Sequence, residues 1–146
     1  MALQDLLNLS NSRKKIGLSE ERVRAILPVA RQYVAFWREY PDLFLDFLQD
    51  GGDPERKREL KFYFYQRVFL RAAMRYKYVY MVFPRAYSKS FLSIMVLICR
   101  CILYPGAKLF VTSGGKEQAA GIVKEKVGEI CTLVPALHKE IDWTRG

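Results

Sequence analysis

Residues Tyr76–Leu103 read YKYVYMVFPRAYSKSFLSIMVLICRCIL, and the fold expected of the chain turns on them. The stretch opens with aromatic and β-branched residues, the composition of a strand. By Val79–Phe83 both alternating faces are apolar, which predicts a central parallel strand covered on both sides. Pro84-Arg85-Ala86-Tyr87-Ser88-Lys89-Ser90 follows, and then an apolar segment of helical length. A strand, a loop ending in Lys-Ser and a helix form the layout of a phosphate-binding loop. Against the pattern GxxxxGK[ST], Phe83 stands at the first glycine and Ser88 at the second.

Downstream, Pro105-Gly106 predicts a turn and Lys108–Thr112 a second strand, so that strand, helix and strand make a right-handed βαβ unit. Ser113-Gly114-Gly115-Lys116-Glu117-Gln118 leads into a helix whose Val123, Val127, Ile130 and Cys131 point inward, and Pro135 stops it. The two glycines suit either close backbone approach to an anion at the helix start or a plain βα turn. Two strands make an incomplete sheet, which predicts that the chain is a fragment.

Upstream, Ser19 before Glu20-Glu21 marks a helix start. Pro28 is expected to interrupt that helix and open the next, Val29–Glu39. Pro41-Asp42 starts a third, with Leu43, Phe44, Phe47 and Leu48 on one face and Gly51-Gly52 at its end. Its Leu43-Phe44-Leu45-Asp46 has the look of a strand delivering an aspartate to magnesium, but the helical spacing and flanking proline favour an amphipathic helix. Asp53-Pro54-Glu55 predicts a helix running to Arg75, with Phe64, Tyr65, Val68, Phe69, Ala72 and Ala73 on its apolar side. Arg67, Arg71 and Arg75 recur at every fourth position; a solvated face is the ordinary reading and contact with a phosphate backbone the sharper one. Gln66 offers the donor–acceptor pair that reads adenine, or is a surface glutamine.

The 146 residues suffice for one modest core, about half of them (51%) are hydrophobic, and the formal charge of +9 predicts attraction to polyanions. Cys99, Cys101 and Cys131 are too few and scattered for a disulfide framework and read as buried thiols of a reducing compartment. The one histidine, His138, has no cysteine at zinc-ligand spacing. The N-terminal residues lack the basic-then-apolar order of a signal peptide, and Phe91–Leu103 is too short to span a bilayer, so a soluble cytoplasmic protein with no membrane partner is expected.

The span RYKYVYMVFPRAYSKSFLSIMVLICRCILYPGAKLFVTSGGKEQAAGIVKEKV, with YPDLFLDFL and FYFYQRVFLRAAMRY upstream, resembles the ATPase half of a tailed-bacteriophage terminase large subunit. The likeness covers roughly residues 30–135. In that family a departing Walker A motif carries an arginine four residues before its lysine, as Arg85 stands before Lys89. The resemblance implies an α/β fold: an incomplete P-loop NTPase-type parallel sheet with flanking helices, preceded by a small helical subdomain. Residues 1–52 would be the helical, lid-like part, and 53–146 the N-terminal half of the ATPase domain, ending before Walker B. It further implies ATP and Mg²⁺ as cofactors. Pro84, Arg85, Ala86, Tyr87, Ser88, Lys89 and Ser90 would form the phosphate loop, with Gln66 on the adenine.

In those roles Lys89 neutralises β- and γ-phosphate oxygens, Ser90 ligates Mg²⁺, and Arg85 acts catalytically on the γ-phosphate. TSGGKEQA resembles the family's motif for coupling or DNA contact. Expected partners are double-stranded viral DNA, the portal protein, the small terminase subunit and further copies of the chain, in the host cytoplasm. The family's Walker B aspartate, catalytic glutamate and nuclease carboxylates lie beyond the matched span, which predicts a piece inactive alone. Ser88 in place of glycine costs about 1–2 kcal/mol if its backbone is left-handed, and Pro84 removes one amide from the cradle. A helicase-like translocase fragment and a short non-enzymatic, basic nucleic-acid or protein-interaction module with a degenerate loop are the alternatives.

Overall fold

The structure is a computed structural model that describes residues 19–139 and 141. Five α-helices follow one another: α1 Glu20–Glu39, α2 Pro41–Asp50, α3 Phe64–Arg75, α4 Lys89–Leu103 and α5 Lys116–Leu133, with a 3-10 helix at Pro135–Lys139. Helix α4 is apolar nearly all round, and such a helix belongs at the centre of a bundle. Phe91, Leu92, Ile94, Met95, Val96, Ile98, Cys99 and Leu103 are all buried. Helices α1, α3 and α5 pack on α4, while α2 packs on α1 and α3. One hydrophobic cluster joins Trp37, Phe44 and Leu45 to Leu70 and Met74, to the α4 residues, and to Val127, Ile130, Val134 and Leu137.

The expected parallel sheet does not form, and the α/β class is corrected to all-α: the described residues contain no β-strand. Both expected strands, in residues 76–83 and 108–112, are non-helical segments on either side of α4. Strand propensity sets a local backbone, but a strand exists only when a neighbour supplies a ladder of hydrogen bonds. Among the described residues neither segment has such a neighbour. Only one face of 76–83 is covered, contrary to the two expected. Tyr76, Tyr78, Tyr80 and Val82 are exposed, while Val79, Met81 and Phe83 alternate with them as the better-covered set.

Ser19 caps α1 as expected, its Oγ accepting the Arg22 N–H. Pro28 does not end the helix; α1 runs through it, with Ile26 buried before the proline and Trp37 after it. Pro41 occupies the first turn of α2, where a missing N–H costs nothing, and Gly51 closes the helix at φ 66°. The helix expected from Asp53 begins only at Phe64. Asp53 caps a single turn, its Oδ1 accepting the Glu55 N–H. Gln49 then clamps the chain at Leu60, accepting its N–H at 2.7 Å and donating to its carbonyl at 3.1 Å. That tertiary clamp overrides the local helix signal.

The buried line of α3 is also rotated from the expected stripe. Gln66, Leu70 and Met74 are buried, whereas Phe64 and Val68 are exposed. Cys99 and Cys131 are buried as expected, but Cys101 is exposed. Burial, with the charge of Asp42 second, pushes the Cys99 thiol up to about 12, which leaves it inert. Among the described residues no helix is long and apolar enough to cross a membrane.

Candidate phosphate-binding loop

The loop from Phe83 to Ser90 joins the uncovered segment to the buried core helix. Pro84 fixes its entry, Arg85 and Ala86 form a turn, and Ser88 stands at the N-cap of α4. Two non-glycine residues here have left-handed backbones, Ala86 at φ 67° and Ser88 at φ 54°, ψ 28°. Such residues persist only where the surroundings fix them, and they gather at ligand-binding turns. Ser88 supplies no side-chain cap, and the first turn of α4 has no acidic residue. The first helical bond runs from Leu92 N–H to Ser88 O, so the amides of Lys89, Ser90 and Phe91 precede it. Free amides at the positive end of a helix dipole suit an anion.

Lys89 folds back over the turn, its Nζ donating to Phe83 O at 3.4 Å. This long, exposed bond spans the loop from its last residues to its first. It ties up the ammonium only weakly and leaves it free to exchange a carbonyl for a stronger anionic acceptor. Ser90 and Arg85 are exposed. An exposed lysine, an exposed hydroxyl and uncapped amides are a donor set that suits an anion such as phosphate. Pro84 contributes no N–H to that set.

Aromatic contacts fasten the loop to α3. Tyr65 lies 6.1 Å from Phe83 and 5.5 Å from Tyr87, ring centre to ring centre, and Phe83 meets Phe69 edge-on at 5.7 Å. Tyr63 stacks on Tyr65 at 6.1 Å. The first turn of α3, where Gln66 sits, is thereby fixed beside the loop. Gln66 is no surface residue: it is buried, and its Oε1 accepts the Tyr63 N–H at 2.9 Å, closing the helix start. Its acceptor is thus engaged, leaving the amide donors for a base edge.

Of the arginine row, Arg75 lies on a solvated face as expected, while Arg67 and Arg71 do not. Arg71 grips Asp42 with a two-pronged fork, both bonds 2.8 Å, and Arg67 reaches Asp42 and Asp46 at 2.9 Å each. Arg58 adds to Asp46 and Asp50, and Arg75 pairs with Glu39 at 2.8 Å. Asp42 is 0% exposed. Burial by itself would raise its pKa, but hydrogen bonds and charge from Arg71 and Arg67 together hold the carboxyl below its usual range. Asp42, Asp46 and Asp50 recur at every fourth position, in step with Arg67 and Arg71. That matched period was the signal for an interhelical ion ladder. Asp46, in the segment that resembles a metal-bearing strand, belongs to this ladder on a helix. Arg100, which interrupts the apolar run, reaches back to the carbonyls of Ala73 and Met74 at the end of α3.

At the second glycine pair, Gly115 is extended and a side chain there would meet nothing within 4 Å. Neither Gly114 nor Gly115 has a positive φ, so the plain turn describes them. Among the described residues no cluster of His, Cys, Asp or Glu could hold a metal ion. Comparison of the chain with protein-family models, with curated proteins and with solved structures found no match.

Proposed function

We propose that the chain is the nucleotide-binding, N-terminal portion of a DNA-packaging motor of the terminase large-subunit type. The observation that carries this reading is the Phe83–Ser90 turn, with its left-handed Ala86 and Ser88, its open helix start and Lys89 folded across it. In this reading the Lys89 ammonium leaves the Phe83 carbonyl for the β- and γ-phosphates of ATP. The Ser90 hydroxyl holds Mg²⁺, whose charge offsets that of the phosphates, and Arg85 faces the γ-phosphate. The adenine lies against α3, with Tyr65 and Tyr87 supplying apolar surface and Gln66 a donor. Nucleotide state then acts on double-stranded viral DNA within an assembly of several copies at a portal, with a small terminase subunit as partner, in the host cytoplasm.

Titration of the chain with a fluorescent ATP analogue, with and without Mg²⁺, tests the reading. Wild type is expected to bind and Lys89→Ala to bind at least about tenfold more weakly, the loss of one charge-assisted contact. Equal affinity in the two proteins, or none in either, would remove the phosphate loop and the motor with it.

A further inference from the structure

The exposed edge of residues 76–82 is not used by the phosphate loop. Tyr76, Tyr78 and Tyr80 are 60%, 84% and 92% exposed, while the residues between them are better covered or basic. The chain bends at Lys77 and runs on without turn or helix through Tyr80; in an extended run, residues two apart such as Tyr78 and Tyr80 stand on one side, roughly 6.5–7 Å apart. The cation of Lys77 lies 5.3 Å from the centre of the Tyr78 ring. Along the sequence, charge on either side of this segment is one-sided. Residues 60–116 hold ten lysines and arginines and no aspartate or glutamate. Carboxylates take up Arg67, Arg71 and Arg75, and carbonyls take up Arg100. Lys61, Lys77, Arg85, Lys89, Lys108 and Lys116 stay exposed and outside any salt bridge among the described residues.

We propose that Tyr78 and Tyr80, with Tyr76 across the bend at Lys77, form a stacking ladder for single-stranded nucleic acid, with Lys77 on its phosphates. Rings at alternate positions of an extended segment are spaced to take successive unstacked bases, and a flat ring accepts any base. A duplex keeps its bases paired and stacked and can meet only the charges. An acidic peptide would satisfy the charges but has no use for three rings standing free in water. The surface is separate from the loop, so this inference stands or falls independently of ATP binding.

The test is anisotropy of a labelled oligothymidylate of about twelve nucleotides, within the site sizes such surfaces take, against a duplex of equal length. Tyr78→Ala and Tyr80→Ala are each expected to weaken the single strand by at least about fivefold and to leave the duplex unchanged. Tyr80→Phe keeps the ring and is expected to bind as wild type does, which separates stacking from loss of the hydroxyl. Lys77→Gln is expected to flatten the salt dependence by about 0.7 in log–log slope. Unchanged affinity in the alanine variants, or equal loss for single strand and duplex, overturns the ladder. Competition by polyglutamate as effective as by unlabelled oligothymidylate overturns it in favour of an acidic peptide. A wild-type dimer in sedimentation that Tyr80→Ala dissociates, and that the oligonucleotide does not, overturns it in favour of a second copy on this face.

Discussion

The α2–α3 contact and the segment 76–90 draw on the same kinds of side chain and use them in opposite ways. Between α2 and α3, Arg58, Arg67 and Arg71 each meet a carboxylate on Asp42, Asp46 or Asp50, and the aspartates are buried. Along 76–90, Lys77, Arg85 and Lys89 meet none, and the tyrosines face water. The backbone follows the same division. Helices α2 and α3 end in ordinary caps, whereas the loop holds Ala86 and Ser88 in the left-handed region. Basic residues answered from within the chain build its core; those left unanswered are available to ligands. Charge counting over the sequence cannot tell the two sets apart.

The sharpest way to break that comparison is to remove the central anion. Asp42→Ala leaves the part-exposed Arg67 and Arg71 without their shared, fully buried partner. Breaking a buried ion pair from one side costs about 3–5 kcal/mol, so urea denaturation should show a larger loss for this change than for any substitution at Gln66, Ser88 or Ser93. A loss under about 1 kcal/mol would place the ladder among screened surface pairs.

Acid probes the same group without mutation. The Asp42 carboxyl is held below its unfolded pKa, so the folded state binds its proton less readily than the unfolded chain does. Its stabilisation is complete above the unfolded value of about 4 and is lost as pH falls through the lower folded value. Midpoints in urea should therefore drop below about pH 4 in wild type, and drop less in Asp42→Asn. Parallel curves for the two proteins would assign the acid sensitivity elsewhere.

Gln66 lies where the two regions meet and sharpens the contrast. Gln66→Ala removes the bond to the Tyr63 N–H, a cap contact that typically contributes about 1 kcal/mol. If its remaining donors also meet the base, through the N7 acceptor that adenine and guanine share, ATP and GTP affinity fall together, by up to about tenfold. Unchanged affinity for both nucleotides would leave Gln66 a helix cap and nothing more.

What was legible in the sequence follows the same line. Helix α4, the Ser19 start, Gly51 and the inward residues of α5 could be read because each depends on local pattern. The late start of α3 and the missing sheet could not, because each was decided by residues distant in sequence, and the arginine row betrayed its partners only through the matched period of Asp42, Asp46 and Asp50. Arg71 lies 29 residues from Asp42, and Gln49 reaches 11 residues ahead to hold Leu60. For residues 76–83 the sequence pattern specified a strand with apolar residues on both faces, and no lateral partner for it exists among the described residues. Of the candidate site, the turn ahead of α4 was legible from its spacing and the left-handed Ser88 from its mismatch with glycine. The aromatic contacts from Tyr65 to Phe83 and Tyr87 were not, since nothing in the spacing of those residues sets them face to face.

The smallest expected effect concerns the loop backbone, and its sign is what matters. Ser88 stands at φ 54° and ψ 28°, where an L-residue costs roughly 1–2 kcal/mol more than glycine. Glycine loses more entropy on folding, which takes back about 0.4–1 kcal/mol. Ser88→Gly should therefore stabilise the chain by about half to one kcal/mol, a rise of a few degrees in Tm. Ser93 provides the internal control, five residues further on the exposed side of α4, where its hydroxyl donates to the Lys89 carbonyl at 2.9 Å. Ser93→Gly lies in ordinary helix and should cost about 0.5–1 kcal/mol. Opposite signs in the pair would establish strain local to the turn, as expected of a backbone shaped for a ligand rather than for stability. Destabilisation by both substitutions would mean that Ser88 is not strained in solution, and the contrast between a relaxed core and a strained loop would go with it.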